Sequence, residues 1–136
     1  MKKFGTSISI AVMLAALCGT AVAQEPDMAT PALAPAPLVL LNGWIGGCFG
    51  TATPAVTKIA GVVYFKGAMC SGTVGTAFTL LPKFRPKHSV YVTVDMCNAT
   101  KGRLVIGTNG SVFVQAETLF SNAQCFTSLE GALFIP

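Results

Sequence analysis

Hydrophobic and polar positions alternate along this chain with the period of strands. Val90, Val92 and Val94 alternate with Tyr91 and Thr93, the two-residue repeat of a half-buried strand. Residues 103–106 and 112–116 flank Asn109-Gly110, a dipeptide that favours left-handed backbone angles and so a tight hairpin turn. Leu104, Ile106, Val112 and Val114 are then expected on one inner face. Four further runs read as strands: 38–44, ended by Gly46-Gly47; 61–66, with the β-forming series Val62, Val63, Tyr64 and Phe65; 76–81, stopped by Pro82; and 129–135 as a closing strand. No segment after the first 23 residues shows helical periodicity, and no internal repeat is evident. Short strands separated by Gly and Pro predict an all-β fold over residues 38–136: an antiparallel β-sandwich, jelly-roll-like.

The start of the chain carries a different pattern. Lys2 and Lys3 precede an apolar run over 8–17, and Ala21-Val22-Ala23 fits the small-x-small rule of a signal peptidase, with Gln24 as the new N-terminus. The run is too short for a comfortable membrane span, which needs about 20 apolar residues. Lipidation at Cys18 is a rival reading, but the preceding residue is Leu17 where Gly, Ala or Ser is usual. Residues 1–23 therefore read as a signal peptide, and the protein as exported, periplasmic or extracellular. Pro26, Pro31, Pro35 and Pro37 among alanines make 24–37 a Pro/Ala-rich linker or tail.

Cleavage would leave residues 24–136, 113 in all, enough for one small domain with a modest core. Seven Lys and Arg then face five Asp and Glu, too weak a balance to suggest a nucleic-acid partner. Sparse charge with many Val, Thr, Phe and Gly suits a tightly packed β domain or one that assembles with its own copies. Cys48, Cys70, Cys97 and Cys125 remain, an even number outside the cytoplasm and without the close C-x-x-C pairs of a zinc site. Two disulfides are expected, and three pairings are open. Cys48–Cys70 with Cys97–Cys125 is favoured, because each would pin an irregular loop to the end of a strand.

The order of several motifs resembles a known family. Leu41-Asn42-Gly43-Trp44 is followed by Gly61-Val62-Val63-Tyr64-Phe65-Lys66-Gly67, then by Gly75-Thr76-Ala77-Phe78-Thr79-Leu80-Leu81-Pro82 with Arg85-Pro86. Gly102-Arg103-Leu104-Val105-Ile106, Asn109-Gly110-Ser111-Val112 and Ser128-Leu129-Glu130-Gly131 with Phe134 complete the series. Over residues 38–134 the chain resembles the C-terminal β-sandwich at the tips of phage tail fibres and related receptor-binding proteins. The resemblance implies a non-catalytic binding module, often trimeric, that recognises glycans or other cell-surface structures. A signal peptide, four cysteines and the lack of a preceding fibre set this chain apart, so an exported bacterial relative of the tip domain is the expectation. A structural, self-assembling envelope protein is the alternative.

Candidate binding residues are aromatic and basic. Trp44, Tyr64 or Tyr91 could stack on a sugar face; Trp44 at a strand end competes with core packing, Tyr64 sits within an apolar run, and Tyr91 faces away from its valine neighbours. Lys83, Arg85, Lys87 and His88 form a short basic loop stiffened by Pro82 and Pro86, suited to anionic sugars or phosphates or to keeping the domain soluble. No catalytic group is expected: His88 has no nearby G-x-S-x-G serine motif, and nothing in the sequence brings Asp95, Glu117 or Glu130 together as a carboxylate pair. Asn98-Ala99-Thr100 matches a glycosylation acceptor but reads as a turn in a chain with a bacterial style of signal. No cofactor or metal is expected.

Overall fold

The computed structural model describes residues 34–136; the signal-peptide expectation over 1–23 and most of the 24–37 linker lie outside the described residues. The strands are β1 (Ala36–Pro37), β2 (Ile45–Gly46), β3 (Ala55–Ile59), β4 (Val62–Lys66), β5 (Ala68–Cys70), β6 (Thr76–Thr79), β7 (Val90–Asp95), β8 (Lys101–Ile106), β9 (Ser111–Ala116), β10 (Thr127–Ser128) and β11 (Leu133–Phe134), with one helix, α1 (Phe120–Cys125). They form three antiparallel sheets in the orders β1-β3-β4-β11, β6-β9-β8-β7 and β10-β5-β2.

The two larger sheets enclose the core. Val56, Val63, Phe65 and Phe134 come from the first; Phe78, Val94, Leu104, Ile106, Val112 and Val114 come from the second. Phe65 stands edge-on to Phe78 with centroids 5.8 Å apart and packs on Phe134 at 5.9 Å. Full burial of each such side chain contributes about 1.5–3 kcal/mol. The predicted β8–β9 hairpin is present, with Leu104 opposite Val114 and Ile106 opposite Val112, and all four are buried.

The chain itself closes one side of the sandwich. After pairing with β3 through β1, it crosses to the second sheet, where Leu40 bridges Phe78 and the Leu41 N–H donates to the Ala77 carbonyl at 2.8 Å. On the other side β11 lies beside β7. The small third sheet joins one end of both larger sheets, because β5 follows β4 past Gly67 and Thr127 bridges Met96 beyond β7. The disulfides Cys48–Cys70 and Cys97–Cys125 both lie at this stapled end, in the favoured pairing. The opposite end carries the Ala60-Gly61 turn, the segment 80–89 and the Asn109-Gly110 turn.

Several elements differ from the sequence reading. The run 38–44 is not one strand: Asn42 (φ 50°) and Gly43 (φ 76°) turn the chain back, and the Trp44 N–H donates to the Leu41 carbonyl at 3.1 Å. Ala36–Pro37, within the expected linker, pairs with β3 as an edge strand, where a missing N–H can face outward. β3 and β5 carried no strand prediction. The closing segment 129–135 is broken by a turn, leaving only Leu133–Phe134 paired with β4. Helix α1 is a correction to the absence of helices. Six residues are too few to display a 3.6-residue period, and α1 is held by its tertiary partners: Ala123 is fully buried and Cys125 is tied to Cys97.

Candidate functional site

The sequence candidates occupy three different places. Trp44 belongs to the core. It is only 4% exposed, meets Phe120 edge-on at 6.3 Å, and its ring offers no face to solvent. The turn at Asn42-Gly43 directs it inward, which corrects its place among the surface candidates; its buried indole N–H finds no acceptor among the described residues. Tyr64 is half-buried on the outer side of β4, opposite Leu133 and Thr57.

The basic loop lies at the end away from the disulfides. Phe84 and Pro86 are buried and anchor it. Arg85 is half-buried and structural, its Nε donating to the Leu80 carbonyl at 2.9 Å. Lys83, whose Nζ stands 5.0 Å from the Phe84 ring centroid, and Lys87 point outward, as does His88.

Tyr91 is the one aromatic candidate that presents its ring, at 61% exposure. β7 pairs with β8, and β8 with β9, so the outward side chains fall into rows across three strands. Tyr91, Val105 and Phe113 make one row, Thr93, Arg103 and Gln115 the next. Asp95 and Lys101 begin a third, which Glu117 extends where its N–H donates to the Lys101 carbonyl at 3.0 Å. Diagonal neighbours across strands lie within reach of long side chains, and the guanidinium carbon of Arg103 stands 5.0 Å from the Tyr91 centroid. Arg103 Nε also donates to Gln115 Oε1 at 2.8 Å. The aromatic ring, the guanidinium fork and the amide thus brace one another. Lys101 donates to Asp95 Oδ1 in an exposed ion pair.

Beside these rows runs an open groove of about 720 Å³, lined by Thr93, Lys101, Arg103, Gln115, Glu117 and Phe120 among others. Its polar wall mixes donors and acceptors: guanidinium, ammonium, amide, hydroxyl and carboxylate. Lys101, Arg103 and Gln115 were absent from the sequence candidates, and Glu117 was considered only as a member of a carboxylate pair. The signal for them was the strand period, which puts Lys101, Arg103 and Val105 opposite in sense to the inward Leu104 and Ile106.

The acids do not gather. Asp95 and Glu117 lie two strands apart with Lys101 between them, and Glu130 belongs to the other sheet's end, where its Oε1 accepts the Gly67 N–H at 2.9 Å. No group of three or more His, Cys, Asp and Glu among the described residues could hold a metal ion. No helix among them is long and apolar enough to cross a membrane. Compared with known proteins, the chain matches no family model, and no curated protein matches it.

Proposed function

We propose that this chain is an exported, non-catalytic binding module that recognises a cell-surface glycan through the outer face of β7, β8 and β9. The observation that carries the reading is the exposed Tyr91 ring braced by Arg103, with Gln115 and Thr93 in the adjoining row. A pyranose has an apolar C–H face and a rim of hydroxyls. An amphipathic aromatic ring suits the first, and fixed polar groups that both donate and accept suit the second. The bracing matters because ordering flexible side chains on binding costs about 0.5–1.5 kcal/mol for each one immobilised. The two disulfides accord with an oxidising location outside the cytoplasm. The resemblance to phage receptor-binding tip domains in the order of motifs supports the same reading.

A glycan array with the purified domain tests it, followed by titration of the best ligand against Tyr91→Ala and Arg103→Ala. Retention of glycans by the parent, with a loss of at least tenfold in both variants, is expected. A blank array, or binding that neither substitution weakens, would overturn the assignment.

A further inference from the structure

We propose that the end of the sandwich opposite the disulfides is a docking surface for an anionic lipid bilayer. The argument begins with where charge falls along the strands. Among the described residues the acidic side chains are Asp95, Glu117 and Glu130, and all three lie toward the stapled end, close to Lys66, Lys101 and Arg103. The other four cations, Lys58, Lys83, Arg85 and Lys87, lie toward the far end, where no acidic side chain is found. Strand direction establishes this. β3 ends at Lys58 and Ile59, β6 ends at Thr79 and leads into the basic loop, and β7 begins beside Ile106. The chain running antiparallel to both β3 and β6 through residues 36–41 keeps those two strands pointing the same way.

The same end carries bulky aliphatic side chains with no place in the core. Leu81 is 54% exposed at the start of the basic loop, Ile59 is 43% exposed at the tip of β3, and Ile135, just past β11, is 74% exposed. Basic groups alone would suit any polyanion. Basic groups interleaved with exposed aliphatics suit a surface that has both negative headgroups and an apolar layer a few ångströms beneath. The loop is built to present them: buried Phe84 and Pro86 fix its backbone, while Lys83 and Lys87 reach out. The basic and aliphatic side chains named here include neither Tyr91 nor Arg103, and the proposal does not depend on the glycan reading.

Co-sedimentation of the purified domain with vesicles tests the proposal. Vesicles of phosphatidylcholine alone are compared with vesicles of phosphatidylcholine and phosphatidylglycerol in equal parts. Binding to the anionic vesicles only is expected, weakening with salt. Each lysine near such a surface contributes enough that Lys83→Gln with Lys87→Gln should lower the partition coefficient about 30-fold. Leu81→Ser should lower it further, whereas Lys66→Gln, at the stapled end, should leave it unchanged. Circular dichroism confirms that each variant folds. Equal binding to both vesicles, or an equal effect of Lys66→Gln, would overturn the proposal. So would retention on immobilised heparin without vesicle binding, or full vesicle binding by the Leu81→Ser variant.

Discussion

The Cα of Gly72 is seated against the indole of Trp44: a methyl group built on it would fall 2.0 Å from ring atoms Cδ2 and Cε2. Gly72 is buried, and the ring beneath it is wedged by Phe120, so neither partner has room to yield. Overpacking of this kind costs about 1–3 kcal/mol. For a domain of this size, Gly72→Ala should lower Tm by about 4–24 °C. Trp44 is the only tryptophan, so its fluorescence reports the same event: denaturant midpoints should fall, with a red-shifted emission if the ring is pushed toward solvent. An unchanged midpoint would mean that the glycine is not a packing requirement.

The two disulfides act on the same end of the fold. Cys70 and Cys125 are brought close by the Ser71 N–H, which donates to the Gln124 carbonyl at 2.6 Å, and Phe49 beside the first bridge packs on Phe126 beside the second, at 5.7 Å. The bridges close segments with separations of 22 and 28 residues, for which the loss of unfolded-state entropy gives about 3 kcal/mol each. Replacing either pair with alanines should cost that order of stability in urea titrations. Replacing the Cys97–Cys125 pair should in addition lower the helical signal of α1, whose last residue is Cys125 and whose N-cap residue, Leu119, makes no side-chain hydrogen bond.

Both bridges start from one local device. Cys48 and Cys97 each precede two residues with left-handed backbone, Phe49-Gly50 (φ 57° and 75°) and Asn98-Ala99 (φ 58° and 56°). A threonine then closes each turn, Thr51 and Thr100 donating their hydroxyls to the Cys48 and Cys97 carbonyls at 2.8 Å. Phe49 and Ala99 are the strained members of this set, since a Cβ crowds the backbone at positive φ, a conformation that glycine and asparagine adopt more readily. Ala99→Gly should therefore stabilise the protein by about 0.5–1 kcal/mol, net of the entropy glycine adds to the unfolded chain. Gly50→Ala should destabilise it. Thermal melts of the two variants should move in opposite directions.

Such turns explain how much of the fold the sequence disclosed. Asn109-Gly110 announced its hairpin, and the alternation of Leu104, Ile106, Val112 and Val114 announced the inner face of β8 and β9. The β3–β4 hairpin stayed hidden because its turn is Ala60-Gly61, with alanine at φ 47°, an unusual residue for that position. Strand β5 is three residues long and takes its form from partners on both sides, β10 and β2. The candidate face was half legible. Period two placed Tyr91 outside, but its contact with Arg103 is diagonal between strands and depends on register, which no local pattern records.

That diagonal contact can be measured without any ligand. Arg103 stands over the Tyr91 ring with its guanidinium carbon and bonds Gln115 through Nε, so its position is set from two sides. A cation over an exposed ring contributes about 0.5–1 kcal/mol, and planar stacking is a property that lysine does not reproduce. A double-mutant cycle with Tyr91→Ala and Arg103→Ala should give a coupling energy of that size from denaturant titrations. Arg103→Lys should lose most of it while retaining the charge. If the coupling were zero, the ring would be free to turn, and the rigid aromatic platform on which glycan recognition depends would be absent. If Arg103→Lys preserved it in full, the contact would be one of charge alone, and the fixed orientation of the Tyr91 ring would need another cause.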